Sequence, residues 1–222
     1  MNNQSTILLT GASGYIGQHL KSFFEAEGAN VLAPTRNECD LSVVGGPTAY
    51  LESLESAGAK VDYIINNAAD QSVAELSSLT PEAIASMMQV NFNSIAEIYA
   101  YCAKSSWAVQ SILAITSIEA IRPRKGHLIY GASKSALEAL TRSAAIELST
   151  TRTNALRLGL ISRPGIESSW PEGTASWKKN TPLSRMGEPS DVTQAAKFLL
   201  MAPWITGEVL TLDGGNSVNP GW

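Results

Sequence analysis

In Tyr130-Gly131-Ala132-Ser133-Lys134 a phenol and an ammonium stand at positions i and i+4. On a helix both share one face, one turn apart. For a tyrosine to give or take a proton near neutrality its pKa must fall by about three units, or about 4 kcal/mol. A nearby cation such as Lys134 is the kind of charge that lowers it. Ser117 closes the apolar run that precedes this segment. It therefore sets a hydroxyl at the carboxyl end of a strand, where open α/β sheets bind ligands. The phenol and ammonium together suit acid/base work near neutrality.

A second pattern is Thr10-Gly11-Ala12-Ser13-Gly14-Tyr15-Ile16-Gly17, between an apolar run and a helical repeat. One glycine there makes the tight turn, one lets a pyrophosphate approach the backbone, and one lets helix and strand pack closely. The following helix start offers free N–H groups and a positive dipole end to phosphate. This is a dinucleotide-binding pattern. At the tip of the second strand the chain runs Pro34-Thr35-Arg36 with no carboxylate. Thr35 and the permanently charged fork of Arg36 suit a ribose 2′-phosphate, so NADP(H) is preferred and NAD(H) possible. Glu38 is the group that would favour NAD(H) if its loop turned toward the ribose.

The elements that must position these groups alternate. Short apolar or β-branched runs at residues 6–10, 31–33, 61–65, 111–116, 153–160 and 208–212 predict strands. Helical periodicity covers residues 15–28, 43–56, 81–104, 128–148 and 191–200. Such alternation implies βαβ units: an α/β Rossmann fold, a doubly wound parallel sheet with helices on both faces. The expected organisation is one domain over residues 1–222, with an irregular substrate loop at about 162–189. Trp170 and Trp177 in that loop are either a lid over substrate or anchors against a neighbouring subunit.

Composition narrows the class. The 222 residues are 44% hydrophobic and 16% charged, with a net charge of −4. This excludes a disordered chain and leaves no electrostatic footprint for nucleic acid or an anionic membrane. Two cysteines and two histidines do not make a disulfide framework or a His-rich metal site. The expected setting is cytoplasmic, the expected ligand beyond cofactor a small molecule. Cys39, His19 and His127 read as incidental and Met87-Met88 as helix core. Ile95, Ile98, Tyr99 and Tyr101 in one helix, and Leu137, Leu140, Ala144 and Leu148 in another, put apolar groups on more than one face. A helix buried on both sides needs a partner, so a homodimer or homotetramer is expected.

From Thr10 to Gly215 the chain resembles the short-chain dehydrogenases/reductases. The linked motifs are the glycine turn, Asp40-Leu41, Asn66-Asn67-Ala68-Ala69, Asn91, Ser117, Tyr130/Lys134, Ile205-Thr206-Gly207 and Leu212-Asp213-Gly214-Gly215. The resemblance implies an NAD(P)-dependent hydride transfer on a carbonyl or secondary alcohol. Tyr130 is then the acid/base, Lys134 lowers its pKa and holds the nicotinamide ribose, and Ser117 binds the substrate oxygen. Asn91 holds a water that links Lys134 to solvent. Gly11, Ser13, Gly14, Tyr15, Ile16 and Gly17 carry the pyrophosphate, Asn67, Ala68 and Ala69 the adenosine side, Asp40 and Leu41 the adenine. Ile161 contacts the nicotinamide amide through its backbone.

Three features depart from the common single-domain pattern. The glycine spacing TGxxGxxG resembles the extended, sugar-nucleotide-modifying branch, as does the short segment before Asp40; Leu158-Gly159 stands where Pro-Gly is usual. Two other functions stay open on the sequence: a catalytically silent NAD(P)-binding sensor or scaffold, and a sugar-nucleotide epimerase or dehydratase.

Overall fold

The six apolar runs become six parallel strands. A computed structural model describes residues 5–219. β1 (Thr6–Thr10), β2 (Asn30–Leu32), β3 (Tyr63–Asn66), β4 (Ser111–Ser117), β5 (Arg152–Leu158) and β6 (Val209–Leu212) pair in the order β2-β1-β3-β4-β5-β6. The helices are α1 (Tyr15–Ala26), α2 (Gly46–Ser56), α3 (Pro81–Met88), α4 (Ser94–Cys102), α5 (Leu128–Glu147), α6 (Ile166–Ser169), α7 (Pro171–Asn180) and α8 (Pro189–Met201).

Side chains of a strand alternate between the two faces of its sheet. Ile7, Leu9, Ile65, Leu113 and Ile115 therefore pack on one side with Leu20 and Phe24 of α1 and Val192 and Leu199 of α8. Leu8, Ile64, Ile112 and Ala114 pack on the other with Ile95 and Ile98 of α4 and Leu137 of α5. Both faces are covered, which is why the strands read as continuous apolar runs. The winding direction reverses between β1 and β3, and a crevice opens beyond their carboxyl ends.

Three expectations change. Residues 162–189 are not structureless, because they contain α6 and α7. Pro171 starts α7, and Gly173, lacking a Cβ, lets the Trp170 ring lie against its first turn. The expected helix over 81–104 is interrupted by a π-helical turn, Gln89–Asn93. Finally, Ile95, Ile98, Tyr99, Tyr101, Leu137 and Ala144 are buried in the chain's own core, with Leu140 and Leu148 packed against it. Their apolar excess is absorbed by α4 and α5 packing on the sheet and each other, so these residues are no free face for a partner. Among the described residues no helix is long and apolar enough to cross a membrane.

Candidate active site

A cleft of about 1110 Å³ lies beyond the carboxyl ends of the strands and is lined by Ser117, Tyr130 and Lys134. Ser117 ends β4 and its Oγ accepts a hydrogen bond from the Glu119 amide at 3.2 Å. Tyr130 and Lys134 stand one turn apart near the start of α5, as their spacing requires. Lys134 is fully enclosed, and its Nζ donates to the Ile115 carbonyl at 2.9 Å. The β4 main chain thus holds the ammonium, 5.7 Å from the centroid of the Tyr130 ring.

The electrostatics differ from the sequence expectation. Burial pushes the Tyr130 phenol up to about 12; the Ser117 hydroxyl and Arg124 favour the phenolate, while Glu119 opposes it. Lys134 does not deliver the expected downward shift. Burial instead pulls its own ammonium down to about 8. Desolvation is the largest cause of both shifts.

The glycine turn divides its labour as its spacing demands. Gly11 has φ +68°, and a Cβ on it would meet the Ala68 backbone at 2.6 Å. A Cβ on Gly17 would lie 2.1 Å from the Gly11 carbonyl oxygen, so α1 packs on the turn only with glycine there. At Gly14 the nearest atom is 3.4 Å away, leaving its face open to a ligand. Asn67 Nδ2 donates to the Thr10 and Gly11 carbonyls at 3.2 and 3.0 Å, tying the end of β3 to the turn. Ser13, Tyr15, Ile16, Asn67, Ala68 and Ala69 also line the main cleft.

A second cavity of about 480 Å³ is lined by Arg36, Asp40 and Leu41. It shares Gly11, Ser13, Ala68 and Ala69 with the main cleft. Two cavities joined across a glycine turn at a helix N-terminus fit the two halves of a dinucleotide. Arg36 contacts Asp40 at 3.5 Å and Ser42 at 3.3 Å. The Glu38 carboxylate accepts from both the Thr35 amide and hydroxyl at 2.8 Å, which holds it in its own turn. Thr35 Oγ1 is correspondingly spent on Glu38 rather than turned to a phosphate.

Ile161 lines the main cleft and forms an isolated bridge with Gly187. The bridge runs from the Gly187 amide to the Leu160 carbonyl and from the Ser162 amide to the Gly187 carbonyl. The amide and carbonyl of Ile161 itself are not used by it.

Asn91 is the predicted residue that the cleft does not expose. It is fully buried in the π-helical turn; its Oδ1 accepts from the Asp70 amide at 2.7 Å, and its Nδ2 donates to the Asp70 carbonyl and Ser133 Oγ. Its side chain fastens the segment after β3 to α5, one residue from Lys134.

Several lining residues carried no local signal. Glu119, Arg122, Arg124 and His127 come from the connection between β4 and α5, and Asn216 from beyond β6. His127, read as incidental, sits 3.1 Å from Glu119 with its ring centroid 5.9 Å from that of Tyr130. Burial, then Arg124, lowers its pKa and so favours the neutral ring. The one available clue was that this connection lies between Ser117 and Tyr130. Trp170 and Trp177 both line the cleft, with Arg124 stacked 5.0 Å from the Trp170 ring centroid.

The fold is a doubly wound α/β sheet, and Ser117, Tyr130 and Lys134 line the same cleft as its glycine turn. A family model described as Enoyl-(Acyl carrier protein) reductase matches residues 6–217. Carbonyl reductase family member 4 of Xenopus laevis is 33% identical over 181 residues, which are 80% of this chain and 75% of that protein. The structure of 4-hydroxyisoleucine dehydrogenase complexed with NADH is similar with TM-score 0.87 and 22% identity, covering 96% of this chain and 99% of that one. A small-chain dehydrogenase in complex with NADPH gives TM-score 0.84 at 20% identity, covering 97% and 99%. The chain belongs to the short-chain dehydrogenase/reductase family, whose members are oxidoreductases.

Proposed function

We propose that the protein transfers a hydride between NADP(H), with NAD(H) as the weaker alternative, and a small carbonyl or secondary alcohol, with Tyr130 as acid/base. The observation that carries this reading is that Ser117, Tyr130 and Lys134 line the same cleft as the glycine turn. When bound, the nicotinamide supplies or accepts the hydride, and in its oxidised form it brings a positive charge that favours the phenolate.

In the reducing direction Tyr130 is protonated at neutral pH, as a phenol pushed up to about 12 must be, and gives its proton to the carbonyl oxygen. Ser117 accepts from the Glu119 amide, so its own hydroxyl proton is available to the same oxygen and offsets its developing charge. The ammonium of Lys134, anchored on Ile115, faces the phenolate left behind. The exposed end of Arg36 is the group proposed to meet a ribose 2′-phosphate. Asn91 acts as a positioning residue that holds the Asp70 segment against α5.

The test is NADPH consumption with a panel of small ketones, followed by absorbance. Consumption with at least one ketone supports the reading. Tight NADPH binding with no turnover of any ketone or alcohol would favour a cofactor-binding sensor instead. Assembly into a homodimer or homotetramer is proposed with it.

A further inference from the structure

The charge in the active-site cleft runs against that of the chain. The protein carries a net charge of −4, yet the charged residues lining this cleft are Arg122, Arg124, Arg163 and Lys134 against the single carboxylate of Glu119. Glu119 is already paired with Arg124 at 3.2 Å. Arg122 is different. Its guanidinium donates to the main-chain carbonyl and, at 2.9 Å, to Oδ1 of the buried Asn216. Both acceptors are neutral, so Arg122 is fixed in place without losing its charge. Among the described residues neither Arg122 nor Arg163 has a carboxylate within 4.0 Å. The guanidinium has five donors in a rigid fork, of which Asn216 engages one nitrogen, and the fork matches carboxylate and phosphate oxygens.

A second observation points the same way. Trp177 lines this cleft, and its indole N–H is buried with no acceptor among the described residues. A buried donor of this kind normally has an acceptor. Positive charge in a cleft of an acidic protein concentrates anions there rather than over the surface as a whole.

We propose that the substrate is a carbonyl or alcohol compound that also bears an anionic group, carboxylate or phosphate, held by Arg122 while Tyr130 serves its reacting oxygen. The proposal rests on the hydride-transfer reading for the identity of the reacting oxygen, but the anion site stands on its own geometry. Arg122 lies five residues past Ser117, in the connection that leads to Tyr130, which puts it on the substrate side. Arg163, two residues past Ile161, lines the same cleft and adds to its positive charge.

The experiment compares matched pairs with NADPH: acetoacetate against methyl acetoacetate, and dihydroxyacetone phosphate against dihydroxyacetone. The wild-type kcat/KM favours the anionic member of at least one pair by tenfold or more, and that pair identifies the anion. Arg122→Gln narrows the ratio at least tenfold. The KM for NADPH is read in Arg122→Gln and Arg163→Gln alongside, because a residue serving the cofactor phosphates would raise it instead. In parallel, quenching of Trp170 and Trp177 fluorescence follows binding of the same four compounds without turnover. Reduction of ketones with no preference for the charged member, or an equal loss on both members in Arg122→Gln, overturns the anion site and leaves the hydride-transfer reading standing. Quenching by the anionic compounds that Arg122→Gln abolishes, with no ketone reduced, supports the anion site and removes the reaction. A rise in the NADPH KM as the sole effect of Arg122→Gln assigns that arginine to the cofactor and also overturns the proposal.

Discussion

Lys134 Nζ lies 5.7 Å from the centroid of the Tyr130 ring and donates to the Ile115 carbonyl at 2.9 Å. The i, i+4 spacing on α5 brings the two groups together, but β4 decides which way the ammonium points. The pair is poised with the phenol protonated, up to about 12, and the amine near 8. That state suits donation of a proton to a carbonyl oxygen.

Tyr130→Phe keeps the ring's packing and deletes only the hydroxyl. Turnover is expected to fall at least about a hundredfold, the loss typical of a removed general acid, with cofactor binding kept. Steady-state rates and an NADPH titration of the variant decide it; retained turnover removes Tyr130 from the mechanism.

Lys134 gives a pH signature in stability. Its folded pKa, about 8, lies below the ordinary lysine value of 10.5. Between these values the unfolded chain binds the extra proton, so its contribution to stability rises with pH. Lys134→Met removes this dependence. Chemical denaturation at pH 8 and pH 10 is expected to show wild type gaining about 2–3 kcal/mol relative to the variant. The variant also loses turnover and cofactor affinity. A wild-type advantage that shrinks as pH rises contradicts the buried-ammonium assignment.

The glycines of the turn separate by what surrounds them. Gly17→Ala sets a Cβ 2.1 Å from the Gly11 oxygen and should cost about 3 kcal/mol or more in stability. Gly14→Ala meets nothing nearer than 3.4 Å and should fold normally while weakening cofactor binding. Thermal melts with and without NADPH read both outcomes. Equal melting temperatures for the two variants would refute the division of roles.

For cofactor choice, Arg36→Ala is expected to narrow the preference for NADP(H) by one to two orders of magnitude, about 1.4–2.8 kcal/mol. The measurement is the ratio of kcat/KM for the two cofactors before and after substitution. Glu38 is tied to Thr35 by two 2.8 Å hydrogen bonds, so its recruitment to a ribose would have to break them. A wild-type ratio favouring NADH rejects the Arg36 assignment.

Assembly is expected through surface that the folded chain leaves apolar. Trp204 is 96% exposed, Ile146 at the end of α5 81%, and Phe198 on α8 54%. Light scattering at micromolar concentration should return a dimer or tetramer, and Trp204→Glu or Ile146→Glu should lower the mass. A stable wild-type monomer contradicts it.

Much of this protein is set by local pattern. Alternation within Ile7-Leu8-Leu9 and Ile112-Leu113-Ala114-Ile115 already specifies strands buried on both faces, because side-chain direction follows from backbone period alone. The three glycines of the turn and the Tyr130/Lys134 spacing are local for the same reason: their geometry is decided within one turn of chain. What the sequence by itself could not determine depends on groups brought from far along the chain. Asn216 reaches Arg122 across 94 residues, and Asn91 spends its side chain on Asp70 and Ser133. The pKa directions of Tyr130 and Lys134 belong to the same class, since desolvation is set by everything packed around a group rather than by its neighbours in sequence. The sequence determined the sheet, the turn and the Tyr130/Lys134 spacing; tertiary packing decided which charges share the cleft with them.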